Sequence, residues 1–584
     1  MASHTPTLCG VVHQLVVKPV FDAPEPREKL YAHFMARAAW YGSRIWMRQD
    51  MLVTRYGVLP KELDTFQGYA TTFLCNLGNY YGEGDQKFVP DLSAEALHKI
   101  AAISPKAKDR LRKIIGPLEN AQSAYYPGTE HISHEEIAKM SKVMEQYNIG
   151  PENTRVRKLL QDGKPVDQLL QASAEISVSD NTSQGLADGI VLVKRDYSEE
   201  LSKVCLALKI AEQHTSNSKQ LQFLTHYIEC FRTASLEAFQ EVEHLIGFIE
   251  SYRDPAGIRS EWEAMIGIAD PGEASRLKRL VESSTAIICH LSWAVEGVND
   301  DKGLYEKSLF EAFDFTSVHA LAVCGSIVFE AANLPNEKTC GFKNVVLTNR
   351  LTANNPKFLC DWVNPSEVKQ FKEIMHIVRY VATAIHELLG HVTGKPLSES
   401  APGTYNFNKK SPPISPITGE LISSHYLPGQ TWGSIFGKLA EITSDDRNLE
   451  ALEHYNIEIQ SWGQVHHQAH FSILKHLQDG GDVIRIDHDP ANSSLTVHVD
   501  RNKFTSHGKP ALGRYLCDLY IWRCTADVAA CKELYEPLCA VDGEDEQWKQ
   551  IVCSKPKPRW KFVQPNTFVN GDVVEMKVYE ERNK

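Results

Sequence analysis

The most informative stretch of the sequence is HELLGH, which occupies residues 386–391. Two imidazoles with a carboxylate beside the first are the groups that a hydrolytic zinc site needs. In the commoner H-E-x-x-H arrangement both histidines emerge on one helix face, whereas the extra residue here turns them about 140° apart on a regular helix. Both can reach one ion only where the turn widens locally, as in a π-bulge, and Gly390 makes that widening easier.

The segment from Val368 to Ile385 precedes this motif and has apolar residues at helical spacing. The spacing predicts a long, partly buried helix with the motif near its end. A pair of core or capping histidines is the alternative interpretation. Glu387 inside the pair and the apolar helix before it favour a metal site.

The composition is that of a large globular protein. The 584 residues are 42% hydrophobic and 23% charged, with a formal net charge of -12. A chain of this length can bury a sizeable core and should divide into at least two lobes. Binding to nucleic acid relies on clustered Lys and Arg, and the sequence has no basic stripe, so we expect no nucleic-acid partner.

The sequence also indicates a compartment. Residues 1–14 lack a charged segment followed by an apolar one, and no later run approaches the length of a membrane span. The 13 cysteines include no CxxC pair, which is typical of reduced thiols. We therefore expect a cytoplasmic protein with no membrane partner.

Periodicity indicates helices in the first half of the chain and several strands towards its end. The amphipathic runs are Glu28–Trp46, Tyr197–Gln213 and Gln220–Glu250, and the strand patterns are Val483–Asp487, Leu495–Val499 and Asp572–Tyr579. Turn residues between the first two strand patterns predict a hairpin.

HELLGH is the signature of the dipeptidyl peptidase III family of zinc exopeptidases, and further stretches resemble that family in the same order. They are LYAHFMARAAWYG (Leu30–Gly42), LGNYYGEGDQKFVP (Leu77–Pro90), GFIESYRDP (Gly247–Pro255), GFKNVVLTN (Gly341–Asn349), GKPALGRYL (Gly508–Leu516) and VQPNT (Val563–Thr567). The resemblance covers almost the whole chain.

The resemblance implies an α+β fold with two lobes that flank a wide cleft. One lobe would be mostly helical and hold the zinc, and the other would be mixed and contain a β-barrel. The mixed lobe would take residues 1–270, 317–355 and 559–584, and the helical lobe residues 271–316 and 356–558. A short peptide or a peptide-like small molecule would bind between the lobes of a monomer.

The resemblance also implies one Zn2+ per chain, held by His386, His391 and an acidic residue on a later helix. The family's second motif has no identical counterpart here, but the ungapped register from Thr431-Trp432 puts Asp445 at the third ligand's position. Aspartate can bind zinc as glutamate does, although its side chain is one methylene shorter. The alternatives are Glu441, Asp446 and a solvated acidic helix start that holds no metal.

Catalytic roles are carried over from the matching strings. Glu387 would be the general base that takes a proton from the metal-bound water and passes it to the leaving amine. Tyr252 matches the tyrosine that stabilises the oxyanion, and His466 matches a histidine that contacts substrate near the metal.

Substrate anchors are implied in the same way. Glu250, Asn333 and Asn336 match the residues that hold the ammonium group of a peptide, and a carboxylate with two amides suits a cation with three donors. Arg559 matches an arginine that reaches substrate from the other lobe. The resemblance thus implies a zinc metallopeptidase that releases N-terminal dipeptides from short peptides.

Several positions depart from the family pattern around the cleft. They are Glu83, His470, the stretch 327–330 before Asn333, and a shortened segment between Gln240 and Gly247. Two further hypotheses therefore stand beside the dipeptidyl peptidase. One is a zinc enzyme of this fold recruited to another hydrolytic or lyase reaction, and the other is a metal-free binding protein.

Overall fold

The chain forms two units of mutually contacting residues. The computed structural model describes residues 12–50, 69, 92–93, 95, 125–127, 130, 132–161, 163–174, 183–242, 245–250, 254, 258–283, 314–325, 328–336, 341–353, 360, 362–385, 399–401, 404–405, 408, 410–411, 421, 465–525, 527–540, 543–554 and 561–579. The first unit comprises Met1–Pro271, Thr316–Ala353 and Lys557–Lys584, and the second comprises Gly272–Phe315 and Asn354–Pro556.

The described elements follow one another along the chain as helices and strands. The helices are α1 (Lys18–Phe21), α2 (Pro26–Asp50), α3 (His134–Gln146), α4 (Ser198–Ala211), α5 (Ser218–Thr233), α6 (Leu236–Gln240), α7 (Pro271–Glu282), α8 (Thr348–Leu351), α9 (Val368–Ile385), α10 (Val465–Asp479), α11 (Arg501–Lys503), α12 (Lys509–Thr525), α13 (Val528–Cys539) and α14 (Glu544–Ser554). The strands are β1 (Val12–Gln14), β2 (Thr154–Gln161), β3 (Lys164–Ala172), β4 (Ser183–Gly185), β5 (Ile190–Asp196), β6 (Ile246–Glu250), β7 (Glu261–Ala269), β8 (Asp314–Cys324), β9 (Ala331–Asn336), β10 (Gly341–Leu347), β11 (Glu399–Ala401), β12 (Thr404–Tyr405), β13 (Ile484–Asp489), β14 (Ser494–Val499), β15 (Lys561–Val563), β16 (Asn566–Asn570) and β17 (Val573–Lys577).

The long helix α2 organises the core of the first unit. It begins at Pro26, whose missing N–H would have had no partner in the first turn anyway, and the Glu28 side chain accepts a hydrogen bond from the backbone N–H of Glu25 at 2.9 Å. The predicted amphipathic run Glu28–Trp46 lies within it, which confirms that prediction. Its buried face contacts α4 and β7, and Trp262 of β7 is fully buried there.

A five-stranded half-barrel sheet lies beside this helical core, in the strand order β6-β7-β8-β10-β9. The predicted helix Gln220–Glu250 is interrupted at Ala234, a left-handed residue that ends α5, and it is wrong beyond Gln240, because the chain enters β6 at Ile246. The phenol oxygen of Tyr227 accepts hydrogen bonds from the backbone N–H groups of Leu245 and Ile246, at 2.9 and 3.1 Å, and β7 pairs with the residues that follow. Such distant contacts override the local helical pattern.

A smaller sheet has the strand order β2-β3-β5-β4 and packs against α3. α3 starts with a capping box, in which Ser133 and Glu136 satisfy each other's backbone N–H groups. The helix buries Ile137, Met140 and Val143 against Leu169 of the sheet. Apolar spacing along α3 therefore matches the face that it buries.

The two ends of the described chain meet in the first unit. β1 and β15 pair in parallel, and the Gln564 side chain bonds both the N–H and the C=O of Val323 in β8, each at 2.8 Å. His33 Nδ1 of α2 lies 2.9 Å from Thr567 Oγ1 of β16. The first unit is thus assembled from three separate stretches of sequence.

The second unit contains α9 to α14 and the hairpin β13–β14. The core of this unit is formed by Phe471, Leu495, Cys539, Trp548 and Ile551. Its helix α9 matches the predicted helix from Val368 to Ile385, and the predicted hairpin is confirmed as well. The hairpin turn is closed by Asp489, whose carboxylate accepts hydrogen bonds from the N–H of Ala491 and the side chain of Asn492.

Helices and sheets in both units confirm the predicted α+β fold class. The expected strand Asp572–Tyr579 is present as β17, which forms a hairpin with β16. Within the described ranges, no helix combines the length and the apolar character that a bilayer span requires.

Candidate active site

The helix that leads to the HELLGH motif is the best-defined part of the predicted metal site. α9 ends at Ile385, so His386 is the next residue along the chain. The sequence pattern predicted a partly buried helix, but Val378, Val381 and Ile385 are 57%, 45% and 39% exposed, and Ala384 is the buried residue of this half. These three apolar side chains at the end of α9 are therefore exposed to solvent.

Several predicted site residues lie outside the described residues. They are Tyr252, His386, Glu387, His391, Glu441, Asp445, Asp446 and Arg559. In the part of the chain that the structure describes, no group of three or more His, Cys, Asp or Glu side chains could hold a metal ion. The predicted ligand set, two imidazoles and one carboxylate, is nevertheless the chemistry that catalytic zinc takes, and it leaves a position open for water.

Glu250, the predicted ammonium anchor, is the last residue of β6 and pairs in register with Glu261 of β7. The register shifts between Phe248 and Glu250, so one extra residue is inserted immediately before the anchor. A bulge of this kind bends the strand and re-aims its side chains, and bulges are common at barrel rims and beside active sites. Glu250 therefore follows a β-bulge, a backbone feature that is common beside active sites.

A buried polar network closes the connection between β6 and β7. Asp254 Oδ2 accepts hydrogen bonds from the phenol of Tyr126 (3.1 Å) and from the backbone N–H groups of Ile258 (3.0 Å) and Arg259 (2.7 Å). Arg259 is fully buried and donates to the same phenol oxygen at 3.2 Å. Burial, helped by the charge of Asp254, raises the pKa of Tyr126, so the phenol stays protonated as a donor.

Asn333 and Asn336 both lie on β9, opposite Asn344 and Gly341 of β10. β9 and β6 are the two edges of the same five-stranded sheet, four strand spacings apart. In a flat sheet those edges would be about 19 Å apart, so Glu250 can share one ammonium group with the two amides only through curvature of the sheet. The structure brings the two asparagines onto one strand and does not bring Glu250 next to them in the strand order.

His466 is the second residue of α10, in the second unit, and His470 follows one turn later. The helix is fixed further along by a 2.6 Å hydrogen bond between the buried Ser472 hydroxyl and the Tyr515 phenol of α12. His476 Nε2 also lies 3.0 Å from the carbonyl oxygen of Ala511. α12 therefore fixes the helix that presents His466.

The sequence patterns missed two sets of buried polar residues near the predicted anchors. One is the Tyr126, Asp254 and Arg259 network, and the other is the run of Thr348, Asn349 and Arg350 in α8. Both overlap strings that the resemblance had marked, Gly247–Pro255 and Gly341–Asn349. These strings marked the regions in which the buried polar residues lie. They could not predict the side-chain partners, which are far away in the sequence.

The chain resembles known proteins both in sequence and in fold. The profile of Peptidase family M49 matches residues 98–448 and 442–584. Dipeptidyl peptidase 3 of Nematostella vectensis is 28% identical over 97% of this chain and 93% of its own length, and dipeptidyl peptidase 3 of Homo sapiens is 29% identical over 97% and 92%. The solved structure of DPP III from Caldithrix abyssi superposes with a TM-score of 0.55 at 16% identity, covering 96% of this chain and 98% of that one, which shows a shared fold.

The family match spans well over half of the chain, and the curated relatives align with it from end to end. The resemblance inferred from the sequence strings is confirmed. The chain belongs to peptidase family M49, the dipeptidyl peptidase III family of metallopeptidases.

Proposed function

We propose that this chain is a zinc-dependent peptidase that releases dipeptides from the free N-terminus of short peptides. The observation that supports the proposal is α9, which is helical up to Ile385, the residue immediately before the HELLGH motif in the sequence. His386, His391 and Asp445 would hold the zinc. When bound, the zinc would supply a Lewis acid that polarises the scissile carbonyl and makes water acidic enough to attack at neutral pH.

The remaining steps belong to the protein's own residues. Glu387 would accept the proton of the attacking water and deliver it to the leaving amine. Tyr252 would donate a hydrogen bond to the oxygen that becomes negatively charged. Glu250, Asn333 and Asn336 would hold the ammonium group, so that cleavage falls after the second residue.

A second candidate keeps the fold and the zinc but changes the reaction. It is favoured by the entry to β9, where Glu330 forms an ion pair with the buried Arg350 at 3.3 Å. The family pattern has small residues at this entry, so the anchor strand of this chain is held differently. A peptide-like metabolite would then replace the peptide as substrate.

Turnover of a dipeptidyl-naphthylamide by the unsubstituted protein separates the proposal from this alternative, and the substitution Glu387→Gln tests the mechanism. It preserves shape but removes the proton acceptor, so turnover of a dipeptidyl-naphthylamide should fall by at least about 10² while zinc content stays near one per chain. Glu373→Gln, an exposed residue of α9, is the matched control and should keep wild-type turnover. Wild-type turnover in Glu387→Gln would exclude the peptidase mechanism.

A further inference from the structure

The short helix α8 carries three consecutive polar side chains that are all buried. Thr348, Asn349 and Arg350 are 8%, 5% and 8% exposed. Burial of polar groups is costly unless they are hydrogen bonded. Thr348 Oγ1 lies within hydrogen-bond distance of Ser317 Oγ, and the Asn349 amide bonds both the N–H and the C=O of Ala320, at 2.9 and 3.1 Å. These two residues fix α8 to β8.

Arg350 extends from α8 towards the start of β9. Its Nε donates to the carbonyl oxygen of Val328 at 3.0 Å, and its Nη2 lies 3.3 Å from Oε1 of Glu330. The guanidinium carbon lies 4.8 Å from the ring centroid of Phe562 in β15. Burial lowers the pKa of Arg350 to about 10, so the side chain is still a cation at neutral pH. One buried cation thus holds both residues that flank Phe329.

The position of this contact matters because β9 follows at once. The backbone N–H of Leu347 donates to the carbonyl of Glu330 at 2.8 Å, and β9 and β10 then pair without a register shift as far as Asn336 and Gly341. Along a strand the rise per residue is fixed, so a strand that is held at its first residue also has its following backbone held. The backbone position of Asn333 therefore depends on the position of Glu330 as well as on pairing with Asn344.

We infer that Arg350 is a positioning residue for substrate, because it fixes the entry to β9 and with it the strand that carries Asn333 and Asn336. The inference rests on the proposed role of those amides as anchors for a peptide's ammonium group. Binding groups act only when they are held within about 0.5 Å of their working geometry by side chains that are themselves locked. Arg350 supplies that support through one hydrogen bond, one ion pair and one aromatic contact.

The test compares one peptide in two forms, tetraalanine with a free N-terminus and its N-acetyl derivative. Binding is measured by calorimetry on the zinc-loaded full chain in the Glu387→Gln background, so that the peptide is not hydrolysed. Arg350→Met keeps an unbranched apolar stem at this position and removes the guanidinium. It should weaken binding of the free peptide about tenfold and leave binding of the acetylated peptide unchanged, because only the free peptide uses the ammonium anchors.

Two further variants show whether Arg350→Met weakens peptide binding by way of Asn333 in β9. Asn333→Ala should abolish the preference for the free N-terminus, and adding Arg350→Met to it should cause no further loss. Arg485→Met removes an exposed ion pair with Asp487 in the second unit and should change neither affinity. Equal weakening of both peptides by Arg350→Met, or no change in either, would overturn the inference.

A milder variant guards against misfolding of Arg350→Met. Glu330→Gln removes only the ion pair and keeps the Val328 contact, and we expect it to weaken the free peptide about threefold without affecting the acetylated one. If Arg350→Met does not fold, this result alone decides. Failure of the proposed function gives a different pattern: the unmodified background would show no preference for the free N-terminus, whatever residue 350 is.

Discussion

One carboxylate oxygen of Asp254, a residue in the connection between β6 and β7, accepts three hydrogen bonds. Its donors are the backbone N–H groups of Ile258 and Arg259, which follow within five residues, and the phenol of Tyr126, which is far from it in sequence. Tyr252, the predicted oxyanion donor, stands two residues before this carboxylate. A residue that stabilises the β6–β7 connection and a residue with a proposed catalytic role are therefore only two positions apart in the sequence.

Removing the phenol oxygen of Tyr126 should destabilise the protein. Tyr126→Phe leaves the buried Asp254 and Arg259 each without one partner, which typically costs about 1–3 kcal/mol in the free energy of unfolding. Denaturant unfolding measures the change. Tyr147→Phe makes the same chemical change at a side chain that is 45% exposed and should shift stability by less than about 0.5 kcal/mol. Equal losses in the two variants would contradict the role of the network.

Zinc content after substitution identifies the third ligand. Asp445→Ala should strip the metal, because two imidazoles alone make an incomplete site. Glu441→Ala and Asp446→Ala should retain about one zinc per chain. Atomic absorption on the purified variants gives the answer, and loss of zinc in Glu441→Ala would show that the register from Thr431-Trp432 is wrong.

Individual residue roles were only partly predictable from the sequence. The motif and the helix before it could be recognised from their spacing, whereas the ammonium anchors come from the family resemblance and stay a prediction. The roles of Tyr126 and Arg350 could not be predicted, since each depends on partners that only the folded chain brings close, Asp254 in one case and Glu330 with Phe562 in the other.

At the scale of secondary-structure elements, α2 and β7 pack in direct contact. A Cβ atom added at Gly42 of α2 would overlap the indole ring of Trp262, which is fully buried in β7. Glycine at this position allows the helix backbone to approach the ring directly. The string Leu30–Gly42 ends at this glycine, so the contact gives a physical reason for its last residue.

Gly42→Ala should therefore be strongly destabilising. Overpacking typically costs about 1–3 kcal/mol, and we expect at least the upper end because the ring is enclosed and the helix cannot move alone. Thermal and denaturant unfolding would show the loss. Gly185→Ala is the control, since a Cβ there meets nothing within 4 Å. A Gly42→Ala protein as stable as the control would mean that α2 and β7 are farther apart than described.

Elements differ in how far periodicity can define them. α9 and the hairpin β13–β14 were predictable because their spacing or turn residues are local signals. β6 was predicted as helix because apolar residues between Gln240 and Glu250 suit either structure. The Tyr227 phenol and β7 decide in favour of the strand, and both are tertiary contacts.

At the scale of the whole molecule, the first unit depends on contacts between distant stretches of sequence. His33 of α2 is 5% exposed and contacts Thr567 of β16, while Gln14 donates a hydrogen bond to the carbonyl of Tyr579 at 2.8 Å. Burial, helped by the charge of Arg37, lowers the pKa of His33 to about 4 from its ordinary value of 6.5. The folded protein therefore keeps this imidazole neutral where the unfolded chain would protonate it.

This difference predicts a loss of stability in acid. Between pH 6.5 and about 4 the unfolded state binds more protons at His33 than the folded state, so the free energy of unfolding falls as the pH falls through that window. The contribution is fully present above pH 6.5. Denaturant titrations at stepped pH should give a shallower dependence for His33→Gln than for the wild type. Identical slopes would contradict the prediction.

The pairing of β1 with β15 also has a consequence for synthesis on the ribosome. The strand β1 acquires its partner β15 only after all the residues that separate the two strands in the sequence have been translated. By then both stretches of the second unit, Gly272–Phe315 and Asn354–Pro556, have already been translated. Until residues 561–567 are translated, β1 lacks its partner strand, His33 lacks its contact with Thr567, and the backbone of Val323 lacks its hydrogen bonds to Gln564. Chaperones that cover exposed strand edges would act on this chain during that interval.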